Sequence, residues 1–157
     1  MLETIKYIKE AIKLAHKNLK TNDGGPFGAV IVKDGKIIGR GRNMVISHSD
    51  PTAHAEVQAI RNACKKLGEH HLDGCEIYTS CEPCPMCLGA IYRAHISKIY
   101  YADTQEDAAK IGFDDNFIYE ELSTPKSKRK IPMKQINHKE ALKVFQKWTN
   151  KKDKEIY

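Results

Sequence analysis

Apolar positions at the start of the chain recur with helical spacing. Ile5, Ile8, Ile12, Ala15 and Leu19 share one face, and lysines take the other. The glycines and proline of DGGPFG (23–28) end that pattern. FGAVIVKDGKIIGRGR (27–42) then reads as a hairpin, with a β-branched run, an Asp-Gly turn and a second short run. The polar SHSDPTA (47–53) leads into a helix over 54–67, whose core face is Val57, Ile60, Ala63 and Leu67, and Gly68 stops it. CEIYTS (75–80) reads as a buried strand. CEPCPMCLGAIYRA (81–94) turns through two prolines into a second, short helix. SKIYYA (97–102) predicts the next strand and DTQEDAAK (103–110) a helix. After a loop, IPMKQI (131–136) predicts a strand, and a last helix carries Leu142, Phe145 and Trp148.

Strands alternating with helices imply a partly parallel sheet covered on both faces, with the leading hairpin as an antiparallel edge. The expected fold class is therefore α/β in three layers. At 157 residues the chain predicts one domain, large enough to bury its own core.

Composition narrows the picture only a little. No apolar run approaches the roughly 20 residues that span a bilayer. The N-terminal MLETIKYIKE mixes acids with lysines and carries no small-residue cleavage site, so it does not read as an export signal. The net charge is +6, but the lysines are spread along helical patterns apart from KSKRK (126–130) and the tail. That distribution reads as a solvated surface, and neither a nucleic-acid nor a membrane partner is expected. Three of the five cysteines crowd into residues 81–87, which reads as metal ligation in a reducing compartment, the cytoplasm, and not as a disulfide frame.

The chemistry concentrates in HAE (54–56) and TSCEPCPMC (79–87). A 14-residue helix carries the chain about 21 Å from His54 and the strand brings it back about 20 Å, so the two motifs can meet at one end of the domain. Each then opens a helix, whose partial positive charge favours thiolates. Cys84 and Cys87 are three apart at a helix start and point to one side. Cys81 sits where the chain is still extended, the least convenient of the three thiols, though spacing alone does not exclude it. Two arrangements follow: a closed structural site of three thiols and one imidazole, or an open site of His54, Cys84 and Cys87 that leaves a position for water. A lone glutamate at Glu56 would be ordinary helix-start chemistry. Two residues after a ligand histidine, it also supplies the carboxylate that moves protons beside a catalytic zinc, and we read the metal as catalytic. The remaining histidines read as surface or core residues, and Cys64 and Cys75 as small buried ones.

H-x-E followed by P-C-x-x-C matches the zinc deaminase signature. With DPTAHAEVQAIRNAC and YTSCEPCPMCLGAIYRA as its two halves, the sequence resembles the cytidine-deaminase-like superfamily. GGPFGAVIVKDGKII, GFDDNFIYEEL and the terminal tyrosine make it similar, more narrowly, to the short zinc-dependent guanine deaminases of bacteria. The resemblance implies a three-layer α/β/α sandwich around a five-stranded mixed sheet. It implies one domain over 1–157 and a homodimer, with the helix and tail of 139–157 available to close the active site or to be exchanged between subunits. It implies zinc held by His54, Cys84 and Cys87, Glu56 as proton shuttle, and hydrolysis of guanine to xanthine and ammonia in purine catabolism. Asn43, Asp115, Phe27 and Tyr157 become the expected substrate contacts, with Asp114 as the alternative to Asp115. A tRNA adenosine deaminase, or a deaminase of a related base or nucleoside, is the alternative activity. One position departs from the pattern: after CLGAIY the close bacterial relatives are expected to carry tryptophan, and this chain carries Arg93.

Overall fold

Asp34 and Gly35 both hold positive φ, 49° and 72°, as a two-residue hairpin turn of type I′ demands. They join β1 (Gly28–Lys33) to β2 (Lys36–Arg42) in the expected antiparallel pair. β3 (Glu76–Cys81) lies antiparallel to β1 on its other side, and β4 (Lys98–Asp103) runs parallel to β3. The computed structural model describes residues 1–136 and 138–157, in two units, 1–117 and 118–157. Among the described residues the sheet is mixed and four-stranded, in the order β2-β1-β3-β4.

Three layers in the first unit follow from alternation along β1. Ala29 and Ile31 face α2 (Ala55–Leu67) and α3 (Pro85–Arg93), where Ala55, Ala59, Ala63, Ile77 and Ile91 close one core. Val30 and Val32 face α1 (Leu2–Lys17), where they pack with Tyr7 and Tyr78. Burial on both faces explains why β1 is apolar throughout rather than alternating.

The helices bury a different stripe from the one their bulky residues suggest. In α1 the buried positions are Tyr7, Ala11 and Ala15, while Ile5, Ile12 and Leu19 remain substantially exposed. Tyr7 fixes the rotation by donating its hydroxyl to the Gly35 carbonyl at 2.7 Å. In α2 the core face is Ala55, Ala59 and Ala63, with Val57, Ile60 and Leu67 only partly covered. The cause lies across the interface. A Cβ built on Gly41 would collide with the Ala55 carbonyl oxygen and the Ala59 amide nitrogen, so α2 rests on β2 backbone against backbone. Only small residues fit at such a contact, and it seats the start of α2 firmly on the sheet.

The expected fifth strand is not observed. Residues 131–136 form no ladder, and Ile131, Met133 and Ile136 stay exposed. Pro132 has no N–H to donate, and Ile131 and Met133 find no apolar surface to cover. The segment read as a loop instead contains a helix, α5 (Asn116–Ser123), after the shorter α4 (Gln105–Lys110). Within the second unit Arg129 donates to the carbonyls of Thr124 and Leu122, and α6 (Lys139–Asn150) exposes Leu142, Phe145 and Trp148. Among the described residues no helix is long and apolar enough to cross a membrane.

One consequence of the topology positions the site. β1 runs opposite to the other three strands, so the start of β1 lies at the same edge as the ends of β2, β3 and β4. Phe27, Asn43, Cys81 and Thr104 therefore converge at one side of the sheet. Pockets in open α/β sheets form at such an edge.

Candidate active site

His54 is the N-cap of α2 and Cys84 the N-cap of α3, each in extended backbone. Pro85 opens α3 at a position where its missing N–H costs nothing, and the Cys87 amide donates to the Cys84 sulfur at 3.5 Å. Two helix N-termini thus aim their partial positive charge at one point. There His54 Nδ1 lies 3.5 Å from both Cys84 Sγ and Cys87 Sγ, and the three donor atoms fall within 4.8 Å of one another. Zinc with bonds of about 2.3 Å to sulfur and about 2.0–2.1 Å to nitrogen separates such donors by roughly 3.5 Å in a tetrahedron, so the residues fit that ion.

The protons of the cluster are strongly coupled. The Cys87 thiol donates to Cys84 and, with help from His54, pushes the Cys84 thiol down to about 4. Its role as donor to Cys84, together with burial, pushes Cys87 up, and the hydrogen bond to Cys84 raises His54. A divalent cation displaces these protons on binding. Glu56 is buried, its carboxylate 3.3 Å from Cys87 Sγ, and desolvation is the main cause of its raised pKa.

Cys81 is placed differently. Its sulfur turns to the Thr104 carbonyl at 3.5 Å and is not part of the donor cluster. Burial first, then the Asp103 charge, pushes its thiol up to about 12, so it stays protonated at neutral pH. Cys81→Ala should therefore keep its full zinc content and melt within about 2 kcal/mol of the parent, as metal analysis and thermal denaturation will show. Zinc loss on this substitution would restore the closed four-ligand site.

A cavity of about 300 Å³ opens over the cluster, small for a ligand pocket but adequate for a base. His54, Glu56 and Cys84 form its floor. Phe27 and Phe113, rings 5.0 Å apart and edge to face, make an apolar wall. Asn43 and Asp115 supply polar groups. The side-chain oxygen of Asn43 accepts from the Val45 amide at 3.1 Å, which leaves its two N–H donors and the oxygen's second lone pair for a base. Of the two neighbouring aspartates, Asp114 accepts from the Asn116 amide at 2.9 Å and turns the chain into α5, while Asp115 lines the cavity. Burial, then the Cys84 charge, raises the Asp115 pKa.

Phe113 was not singled out by sequence reasoning, although it stands two residues before Asp115 in GFDD. Val45 and Ile46, from a loop that carries no motif, and Gln105, the first residue of α4, also line the cavity. Arg93 is the exposed last residue of α3, at the far end of the helix from Cys84, and does not line the cavity. Tyr157 belongs to the second unit, where it is exposed.

This fold, with H-x-E and P-C-x-x-C meeting at two helix starts, defines a class, and the chain belongs to it: residues 1–103 match the family model for the cytidine and deoxycytidylate deaminase zinc-binding region. Members of this class are hydrolytic, zinc-dependent deaminases, and this chain is one of them. Over 151 residues it is 54% identical to the guanine deaminase of Bacillus subtilis strain 168, covering 96% of this chain and 97% of that protein. The X-ray structure of guanine deaminase from Bacillus subtilis superposes with a TM-score of 0.94 over 97% of each chain, at 54% identity. The tRNA-specific adenosine deaminase of the same organism is more distant, 38% identical over 115 residues, 73% of this chain and 71% of that one.

Proposed function

We propose that this protein converts guanine to xanthine and ammonia, as a cytoplasmic homodimer serving purine catabolism, with His54, Cys84 and Cys87 holding zinc and Glu56 moving protons. The observation that carries the reading is Asp115 on the cavity wall, in a chain similar to guanine deaminase along nearly its whole length. An ionised carboxylate only accepts hydrogen bonds, and guanine presents an N1–H donor to it. Adenine presents an acceptor at the same place and is repelled. The N–H donors of Asn43 suit an acceptor on the opposite purine edge, and Phe27 gives the ring an apolar face.

Zinc, when bound, acidifies water beside the base. Glu56 takes the proton that the water loses and passes it to the ring nitrogen next to C2 as the water oxygen bonds to C2, which then bears both a hydroxyl and the amine. It then carries a second proton from the new hydroxyl to the exocyclic amine. The C2–N bond breaks, the carbonyl of xanthine forms, and ammonia departs. A carboxylate whose pKa burial raises above the usual carboxylate range suits both transfers.

The terminal residue Tyr157, with the helix and tail of 139–157, is proposed to cover the base, from the same chain or by exchange with a second copy. The exposed Leu142, Phe145 and Trp148 of α6 are the apolar stripe that such an exchange would bury.

The test is a spectrophotometric screen of the zinc-loaded protein with guanine, guanosine, adenine, cytosine and tRNA. Xanthine is expected from guanine, with adenine disfavoured on the order of 10⁴-fold, since a site built to bind one hydrogen-bond pattern rejects its reverse. Inosine in tRNA without xanthine from guanine would overturn the assignment.

A further inference from the structure

Asn18 takes no part in the chemistry above, yet it is among the most buried polar residues of the first unit, 5% exposed. It follows α1 at the start of a short 3₁₀ turn, Asn18–Lys20. Its amide nitrogen donates to the Gly25 carbonyl at 2.7 Å and to the Asn43 carbonyl at 2.8 Å. Its oxygen accepts from Arg42 Nη1 at 2.5 Å. Arg42 pairs in turn with Asp23 at 2.6 Å, and the Asp23 carbonyl accepts the amides of Ile46 and Ser47 at 2.9 and 3.2 Å. The circuit runs from one wall of the cavity, 23–27, to the other, 43–47, and back.

We propose that Asn18 is a positioning residue for base recognition, clamping Gly25 and Asn43 together through its amide while Arg42 and Asp23 tie down the loop beyond. The proposal rests on the reading of Asn43 as a base contact. The Asn43 backbone is held on one side by the hydrogen bond its N–H donates to the Phe27 carbonyl, 3.1 Å, and on the other by Asn18. Its side chain is then braced against the Val45 amide. A carboxamide is the side-chain group that offers two coplanar donors and an acceptor at this size. Alanine would take the donor from the Asn43 carbonyl, leave the Gly25 carbonyl with the Phe27 amide alone and remove the acceptor that Arg42 shares with Asp23. Aspartate would fit sterically but set an oxygen against those carbonyls.

The experiment compares Asn18→Ala, Asn18→Asp and the milder Arg42→Lys as zinc-loaded proteins. Each is expected to raise KM for guanine, on the order of tenfold for Asn18→Ala and less for Arg42→Lys, which keeps the charge opposite Asp23 but loses the fork that reaches Asn18. Zinc content and kcat at saturation should stay within about twofold of the parent. In a double-mutant cycle, Asn18→Ala added to Asn43→Ala should cost little more than Asn43→Ala alone, because the first residue acts through the second. Hydrogen exchange without guanine should show faster exchange at Asn43, Ile46 and Ser47, with the β1–β3 ladder unchanged. That readout tests the clamp even if the parent turns over a different base, an outcome that would sink the substrate assignment alone. An unchanged KM, a fully multiplicative cycle, activity lost only in proportion to the folded fraction, or unaltered exchange at those amides would overturn the proposal.

Discussion

Glu56→Gln is expected to slow the release of ammonia from guanine by about 10²–10⁴-fold while leaving zinc and fold in place. The substitution keeps the shape of a side chain that is 7% exposed and sits in the first turn of α2, two residues from His54. It removes the one group there that can both take and return a proton. Stability should not suffer. Burial is the first cause of the raised Glu56 pKa, so the site disfavours the charge, and a neutral amide of equal size relieves that cost. The checks are steady-state rates, zinc analysis and a thermal melt on the same preparation. Turnover within a few fold of the parent would remove Glu56 from the mechanism.

Cys84→Ala carries the second large effect. Deamination should fall to background and zinc should be lost, because only one sulfur and one imidazole remain. The chain should nevertheless stay folded, with unchanged far-ultraviolet circular dichroism and a lowered melting temperature that added zinc no longer raises. The two cores, Ile31 with Ile77 and Leu72 on one face and Val30 with Tyr7 and Tyr78 on the other, are built without the metal. Global unfolding of this variant would instead make the ion a structural requirement, as in a zinc finger.

Much of this molecule was legible in the sequence because its strongest patterns are local. The hairpin turn, the stop at Gly68, Pro85 at the start of α3 and the meeting of HAE with PCPMC all follow from backbone preference and length arithmetic. The rotation of α1 and α2 did not. A search for bulky apolar residues selects Ile5, Ile12 and Val57, whereas Ala11, Ala55 and Ala59 are buried. Which stripe faces the sheet depends on glycines such as Gly41, distant in sequence, that let the backbones touch. IPMKQI shows the opposite weakness, since its apolar residues suggest a strand although Pro132 interrupts the donors and its side chains remain exposed. The metal ligands stood out because coordination demands fixed residue types at fixed spacing. Phe113, Val45 and Ile46 did not, because an apolar wall can be built from any of several side chains on any loop of suitable reach.

The convergence of four strand termini at one edge separates two inheritances. His54 and Glu56 are anchored to α2 and Cys84 and Cys87 to α3, which the sheet holds from below, whereas Phe27, Asn43 and Asp115 line the cavity from just outside β1 and β2 and from the turn before α5. Exchanging the segments 43–51 and 111–116 for those of a relative is therefore expected to leave the strand ladder and the zinc content unchanged. On the proposed reading, retooling this scaffold for a different nucleobase should need only those two short segments spliced, with the hydrolytic engine carried over.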